Sequence, residues 1–76
     1  KKKFDMIIGN LTADILAPLL PKLTSRLAEG GVLIISGIHE KRRMLVEGIL
    51  SNFFKVTDKD HQGEWDCFVL TLSLSS

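Results

Sequence analysis

Two short polar segments carry the side chains of this 76-residue sequence that are best suited to hold a ligand. The first is Asn10-Leu11-Thr12-Ala13 and the second is Ser36-Gly37-Ile38, and each directly follows a run of aliphatic residues. The amide of Asn10 offers one hydrogen-bond acceptor and two donors. If the aliphatic runs are strands, each segment begins at the carboxyl end of a strand. Open α/β sheets bind their ligands at these ends. The spacing therefore predicts a polar binding site at one edge of a sheet.

Each of these positions also has a plain structural interpretation, which the sequence leaves open. Asn10 suits a turn or a helix cap. Either Thr12 or Asp14 suits the N-cap of the helix that follows. The segment 36–38 suits a simple connection between a strand and a helix.

Four other residues with reactive or aromatic side chains fit structural roles better. His39 stands at a predicted helix start, as a capping or solvated residue and not as a base. His61 falls in a predicted hairpin turn. Cys67 lies in the most apolar strand, where burial keeps a thiol protonated, and Trp65 begins that strand as a core residue. A single cysteine and two histidines without zinc-ligand spacing predict no internal disulfide and no metal site, as in reduced cytoplasmic proteins.

The first half of the sequence predicts a strand, a helix and a second strand. Strand A covers 4–9, and leucines at three- and four-residue steps predict a helix over 13–28. Pro21 predicts a kink or break near 17–21, so that the helix runs in two pieces. Gly30-Gly31 predicts the helix end, and the aliphatic run 32–35 predicts a buried strand B.

The second half predicts a helix followed by a hairpin. An amphipathic pattern over 40–53 predicts helix B, alternation over 54–59 predicts strand C, and 65–72 predicts strand D after a turn at 61–63. Strand D is apolar at consecutive positions and strand C is not, so D is expected inside the sheet and C at an edge. The fold class is therefore α/β, with spatial order A-B-D-C and D antiparallel to the other strands.

Size and charge exclude several functional classes. Seventy-six residues with 45% apolar content form one domain at most, and the sequence has no stretch of apolar residues long enough to cross a membrane. Ten basic and nine acidic residues leave a net charge of +1, so neither a membrane nor direct nucleic-acid binding is expected.

The predicted topology leaves one face of the sheet uncovered. Two right-handed crossovers that step the same way place both helices on one face. About half of the apolar strand side chains then point to the bare face. Leaving them in water loses on the order of 10 kcal/mol of the stabilisation that their burial would give. This shortfall predicts that the chain is the C-terminal part of a larger sheet whose N-terminal half is missing.

An antiparallel strand inserted next to last resembles the Rossmann-like class I S-adenosylmethionine-dependent methyltransferases. Asn10-Leu11-Thr12-Ala13, Leu27-Ala28-Glu29-Gly30-Gly31, Ser36-Gly37-Ile38 and Gly63-Glu64-Trp65 resemble, in particular, the ribosomal protein L11 methyltransferase family. The similarity covers essentially all 76 positions. Glu29 departs from the proline usual there, and the family's glycine-rich loop, its acidic residue for the ribose and its N-terminal substrate domain do not match any part of this sequence.

The resemblance implies an N-methyltransferase for lysine side chains and the N-terminal amine of ribosomal protein L11, with S-adenosylmethionine as cofactor. It implies that Asn10 binds the cofactor, and the position of Leu11, Thr12, Ser36 and Gly37 at the same strand ends predicts that they contact the substrate. No catalytic acid or base is assigned, because the sulfonium methyl is already activated and positioning does most of the work. The fragment by itself is expected to be inactive.

Two other interpretations remain open. One is another class I amino-group methyltransferase, for protein glutamine or nucleic acid, although those enzymes prefer asparagine-proline-proline-aromatic where this sequence has Asn10-Leu11-Thr12-Ala13. The other is a non-catalytic α/β interaction module that pairs with a copy of itself along strand A.

Overall fold

The structure, a computed structural model, describes residues 3–10 and 12–72 of the chain. Four strands and two helices follow one another in the predicted order. A short 3-10 helix, Glu40–Arg42, precedes the second helix. The elements are β1 (Phe4–Asn10), α1 (Ala13–Arg26), β2 (Leu27–His39), α2 (Arg43–Leu50), β3 (Phe54–Gln62) and β4 (Trp65–Leu72).

The strands form one mixed sheet with the order β1-β2-β4-β3, as predicted. β1 and β2 are parallel, with Ile8 opposite Ile34. β4 is inserted antiparallel between β2 and β3. The position of β4 follows from its composition, because a strand with apolar residues at consecutive positions is favoured in the interior of a sheet, between two neighbouring strands.

The two helices pack against each other and against one face of the sheet, which confirms the prediction of a one-sided helix layer. Alternate residues of β2 and β4 point into this layer and are buried, because successive strand side chains point to opposite faces. Among the described residues, the apolar core comprises Leu16, Leu20, Leu27, Leu33, Ile35, Ile38, Val46, Leu50, Phe54, Phe68 and Leu70.

The opposite face, which we call the open face, has no helix over it within residues 3–10 and 12–72. On β1 it presents Phe4, Met6 and Ile8, and Ile8 is 68% exposed. The neighbouring Val32 and Ile34 of β2 are only half-buried. An apolar, solvent-facing surface was the predicted consequence of the topology.

Helix α1 is continuous, so the predicted break near 17–21 is wrong. Pro18 and Pro21 both lie on its exposed side. The carbonyls that lose an amide partner, those of Asp14 and Ala17, belong to exposed residues as well and can bond to water instead. The buried leucines on the other side hold the helix together across both prolines.

Two element boundaries also differ from the predictions. Helix α1 ends at Arg26 and the chain passes directly into β2, so Gly30-Gly31 is not the helix cap. These glycines lie instead within β2, where its register against β1 shifts between Leu27 and Val32. The second helix is shorter than predicted and begins as the 3-10 turn.

In the described ranges, neither helix is long and apolar enough to cross a lipid bilayer.

Candidate ligand site at the carboxyl ends of β1 and β2

Asn10 and Gly37 occupy one place at the shared carboxyl end of β1 and β2. Asn10 stands opposite Ser36 in the parallel register, one residue before Gly37. Gly37 has φ of +79°, and a Cβ at this position would overlap the Asn10 side-chain oxygen Oδ1. Glycine is therefore required twice, for the left-handed backbone and for the space that the Asn10 amide fills.

A bulge in β2 produces this arrangement. The register of β2 against β4 shifts between Ile35 and Ile38, which leaves Ser36 and Gly37 outside the regular ladder. The Ser36 hydroxyl donates a long hydrogen bond of 3.5 Å to the Gly9 carbonyl and so ties the bulge to β1. The structure thus brings together three of the predicted site residues, Asn10, Ser36 and Gly37.

Thr12 is the N-cap residue of α1. It was one of the two residues that the sequence offered for this position. Its carbonyl accepts from the Leu16 and Ile15 amides at 2.9 and 3.2 Å. Within the described ranges its hydroxyl makes no capping hydrogen bond, so this group is free to face the site. Leu11 lies outside the described residues.

Two open cavities meet above these strand ends. One of about 490 Å³ is lined by Asn10, Thr12, Gly37 and Trp65. A second of about 270 Å³ also includes Thr12, Gly37 and Trp65, and extends towards His39 and Arg42 of the next turn. Three of the predicted residues, Asn10, Thr12 and Gly37, therefore line a space of ligand size.

Trp65 is the site residue that the sequence interpretation missed. It was predicted to pack in the core, but 53% of its surface is exposed and it lines both cavities. The reason is the alternation of β4: Trp65 stands opposite His39 and, two residues before Cys67, points to the open face, whereas Asp66 between them points to the helix side. The signal available in the sequence was this alternation, counted back from the apolar residues of the strand.

His39 caps the 3-10 helix, in agreement with the prediction. Its Nδ1 accepts a hydrogen bond from the Lys41 amide at 3.2 Å, and its Nε2 lies 3.6 Å from Oε1 of Glu64. An imidazole whose two nitrogens both have partners is poorly placed to take a proton from a substrate. His39 is therefore not assigned as a base.

His61 is not in the hairpin turn, and that prediction is wrong. It is a residue of β3 opposite Asp66, and its Nδ1 lies 2.8 Å from Asp66 Oδ1. Asp66 is 4% exposed, with Arg43 4.0 Å away, and its Oδ2 has no hydrogen-bond partner among the described residues. The loop is only two residues long, so β3 extends to Gln62, beyond its predicted end at 59, and the hydrogen-bonded pair of His61 and Asp66 lies on the helix side of the sheet.

Cys67 is half-buried on the open face and not fully buried as predicted. Desolvation raises the pKa of its thiol, and the negative charges of Asp60 and then Asp58 raise it further. The predicted consequence, a thiol that stays protonated, therefore holds for a partly different reason. The two carboxylates come from β3, the neighbouring strand.

A parallel pair of strands continued by an inserted antiparallel strand, with a polar site at the carboxyl ends, defines the sheet of a Rossmann-like methyltransferase. The structure of the N-methyltransferase NodS from Bradyrhizobium japonicum superposes with a TM-score of 0.71 over 95% of this chain and 52% of its own. At 14% identity this similarity shows the fold alone.

The chain belongs to the ribosomal protein L11 methyltransferase family. The family description "Ribosomal protein L11 methyltransferase (PrmA)" matches residues 1–73. The ribosomal protein L11 methyltransferase of Agathobacter rectalis is 40% identical over 65 residues, which are 84% of this chain. The ribosomal protein L11 methylase structure from Lactobacillus delbrueckii subsp. bulgaricus is 35% identical, with a TM-score of 0.88 over 97% of this chain.

The chain spans only part of these relatives. It covers 20% of the Agathobacter rectalis protein and 39% of the Lactobacillus chain.

Proposed function

We propose that this chain is part of an S-adenosylmethionine-dependent methyltransferase that acts on ribosomal protein L11. The observation that carries the proposal is the Asn10 amide, which sits in the space left by Gly37 at the end of two parallel strands. Membership of the family supports the same function. The finer assignment, to lysine side chains and the N-terminal amine of L11, belongs to the proposal as well.

The residues at the strand ends fit part of the proposed donor. S-adenosylmethionine carries a cationic sulfonium, an amino-acid group and a nucleoside, and so needs both polar and aromatic partners. Asn10 supplies an acceptor and two donors, and Trp65 supplies a half-exposed indole that can lie against a cation. The glycine-rich loop that the resemblance implies for the rest of the donor has no counterpart in this sequence, so we propose that most of the donor site lies outside it.

When bound, the donor supplies a methyl group on a positively charged sulfur, ready for direct transfer to a nucleophile. The chain's own residues are then needed for orientation and for exclusion of water. The side-chain oxygen Oδ1 of Asn10 can accept a hydrogen bond from the N–H of an incoming amine. Trp65 covers the side of the cavity nearest the hairpin and keeps that side apolar.

The acceptor amine must be neutral when it reacts, because a protonated nitrogen has no lone pair. A free lysine has a pKa of about 10.4, so the site has to select the minor, neutral form at neutral pH. Exclusion of water from the assembled site favours that form because it penalises charge. This requirement fits a site that is poor in acids and bases, and no catalytic residue is proposed in this chain.

The proposal also assigns the chain to the C-terminal part of a methyltransferase domain. Partial coverage of the relatives supports this assignment, and so does the apolar open face, which a second layer of helices would bury.

A chimera tests the proposed function. This chain replaces the matching segment of the Agathobacter rectalis protein, and transfer of labelled methyl groups to purified ribosomal protein L11 is measured. We expect activity in the chimera, with label on lysine and on the N-terminal amine when the product is mapped by mass spectrometry. The isolated 76-residue chain should bind S-adenosylmethionine negligibly in calorimetry.

A folded chimera that binds the donor but leaves L11 unlabelled would contradict the assignment of the substrate. A folded chimera that binds no donor would contradict the assignment of the reaction. The parent protein, treated identically, is the control for both measurements.

A further inference from the structure

We propose that His39 is a positioning residue, which holds the Trp65 indole in place as the wall of the ligand site. The proposal rests on the proposed function in one respect only, namely that the space beside Trp65 receives the acceptor. The positioning itself depends on contacts within the chain. Neither the positioning role of His39 nor the role of Trp65 as a wall follows from the residue types alone.

The contact between the two rings is direct. His39 of β2 stands opposite Trp65 of β4 in the antiparallel register, so their side chains share one face. The ring centroids are 5.3 Å apart and the planes meet at 84°, which is an edge-to-face arrangement. This is a favourable geometry for an aromatic pair, because the positive ring edge meets the negative ring face.

His39 is itself held by its neighbours. The hydrogen bond from the Lys41 amide to Nδ1 fixes the ring at the start of the 3-10 helix. The Glu40 amide donates to the Glu64 carbonyl at 2.8 Å, which joins that helix to the hairpin turn beside Trp65. One backbone hydrogen bond therefore holds the ring that touches the indole, and a second holds the segment that carries it against the hairpin.

Trp65 needs such support because half of it faces solvent. An indole that is 53% exposed has fewer packing contacts to select one rotamer than a core residue has. Loss of one aromatic contact at the weak end of the usual range changes a rotamer population roughly twofold. His39 is therefore expected to decide how often the indole faces the cavity.

Two substitutions separate positioning from capping. His39→Asn keeps a side-chain acceptor for the Lys41 amide and removes the ring, and asparagine is a favoured N-cap residue. His39→Phe keeps a ring edge and removes the acceptor. His61→Asn is the matched control, because its ring contacts Asp66 and Glu40 instead.

Trp65 is the only tryptophan of the chain, so its fluorescence reports on this position alone. We expect His39→Asn to shift the emission to longer wavelength and to raise acrylamide quenching roughly twofold, with a melting temperature equal to wild type. His39→Phe should keep the wild-type emission and melt at a lower temperature. Equal emission in wild type and His39→Asn, or emission changes that follow the melting temperature in all three variants, would overturn the proposal.

The same variants in the chimera described above give a second test. We expect His39→Asn to raise KM for ribosomal protein L11 about twofold with little change in kcat, because the apparent affinity follows the population of the competent rotamer, and His39→Phe to keep the wild-type KM. Equal losses in both variants would show a purely structural role and overturn the proposal. If the wild-type chimera were inactive, the proposed function would fail while the fluorescence result on His39 would stand.

Discussion

The two faces of the sheet differ sharply in what they contribute. The face under α1 and α2 contains the buried core, with Phe68 and Leu70 of β4 completely covered. The open face of the same sheet leaves Met6 and Ile8 of β1 exposed. The two faces therefore differ in burial, because alternate side chains of a strand point to opposite faces and only one face is covered by helices.

The difference indicates that folding and binding depend on different residues. The helix-covered face supplies most of the apolar burial, while the candidate site lies at the strand ends beyond it. A substitution in the core should therefore lower stability, whereas a substitution at the rim should change the site with a smaller effect on stability. The predictions below test this separation, in order of decreasing effect.

The largest effect is expected for a substitution in the core. Phe68→Ala removes a fully buried ring and should lower the free energy of unfolding by about 3–5 kcal/mol. Met6→Ala on the open face should change it by less than about 0.5 kcal/mol. Urea titrations of the chain followed by circular dichroism give both values. Similar losses would mean that the open face is covered in solution.

A smaller effect is expected beside the candidate site, where two glycines with positive φ can be compared. Gly37 lies at the strand ends and Gly63 lies in the hairpin loop. Gly63→Ala should cost about 1–2 kcal/mol, since φ is +61° and nothing lies within 4 Å of the new Cβ. Gly37→Ala should cost at least about 1 kcal/mol more, because the new Cβ overlaps the Asn10 side chain.

A double substitution tests the cause of this difference. Asn10→Ala removes the atom that the new Cβ would overlap, so it should recover most of the extra cost in the Gly37→Ala background. If Asn10→Ala recovered none of it, the Asn10 side chain would not occupy the space above Gly37.

The smallest effect concerns Cys67, whose raised pKa changes reactivity and not stability. Alkylation by iodoacetamide at pH 8 should be slower than for glutathione, because less thiolate is present below a raised pKa. Asp60→Asn should speed the reaction, since one of the charges that raise this pKa is lost. The rates are measured by mass spectrometry, and an unchanged rate in Asp60→Asn would contradict the contribution of that charge.

The sequence was sufficient to predict the sheet order, the inserted strand and the one-sided helix layer. These features follow from hydrophobic period and from the handedness of crossovers, which are properties of whole segments. The continuity of α1 was not predictable in the same way. Whether Pro21 breaks a helix depends on the side of the helix that it occupies and on the leucines packed opposite, both of which are tertiary facts.

Only part of the candidate site could be predicted from the sequence, because the rest also depends on tertiary structure. Asn10, Ser36 and Gly37 were found because strand ends can be located from the apolar runs. The pairing of His61 with Asp66 was missed because it depends on the length of one hairpin loop, and Trp65 was assigned to the core because the sequence did not show that its face of β4 is the uncovered one. A change of one or two residues in that loop reassigns every side chain of the flanking strands to a different partner.

The most direct test of the account is the effect of Asn10→Ala on donor binding, measured by calorimetry with S-adenosylmethionine in the chimera and compared with the melting temperature. We predict an affinity lower by about tenfold or more, as for the loss of a hydrogen bond to a charged group, and an almost unchanged melting temperature. An unchanged affinity with a large fall in melting temperature would contradict the account and assign Asn10 a purely structural role at the end of β1.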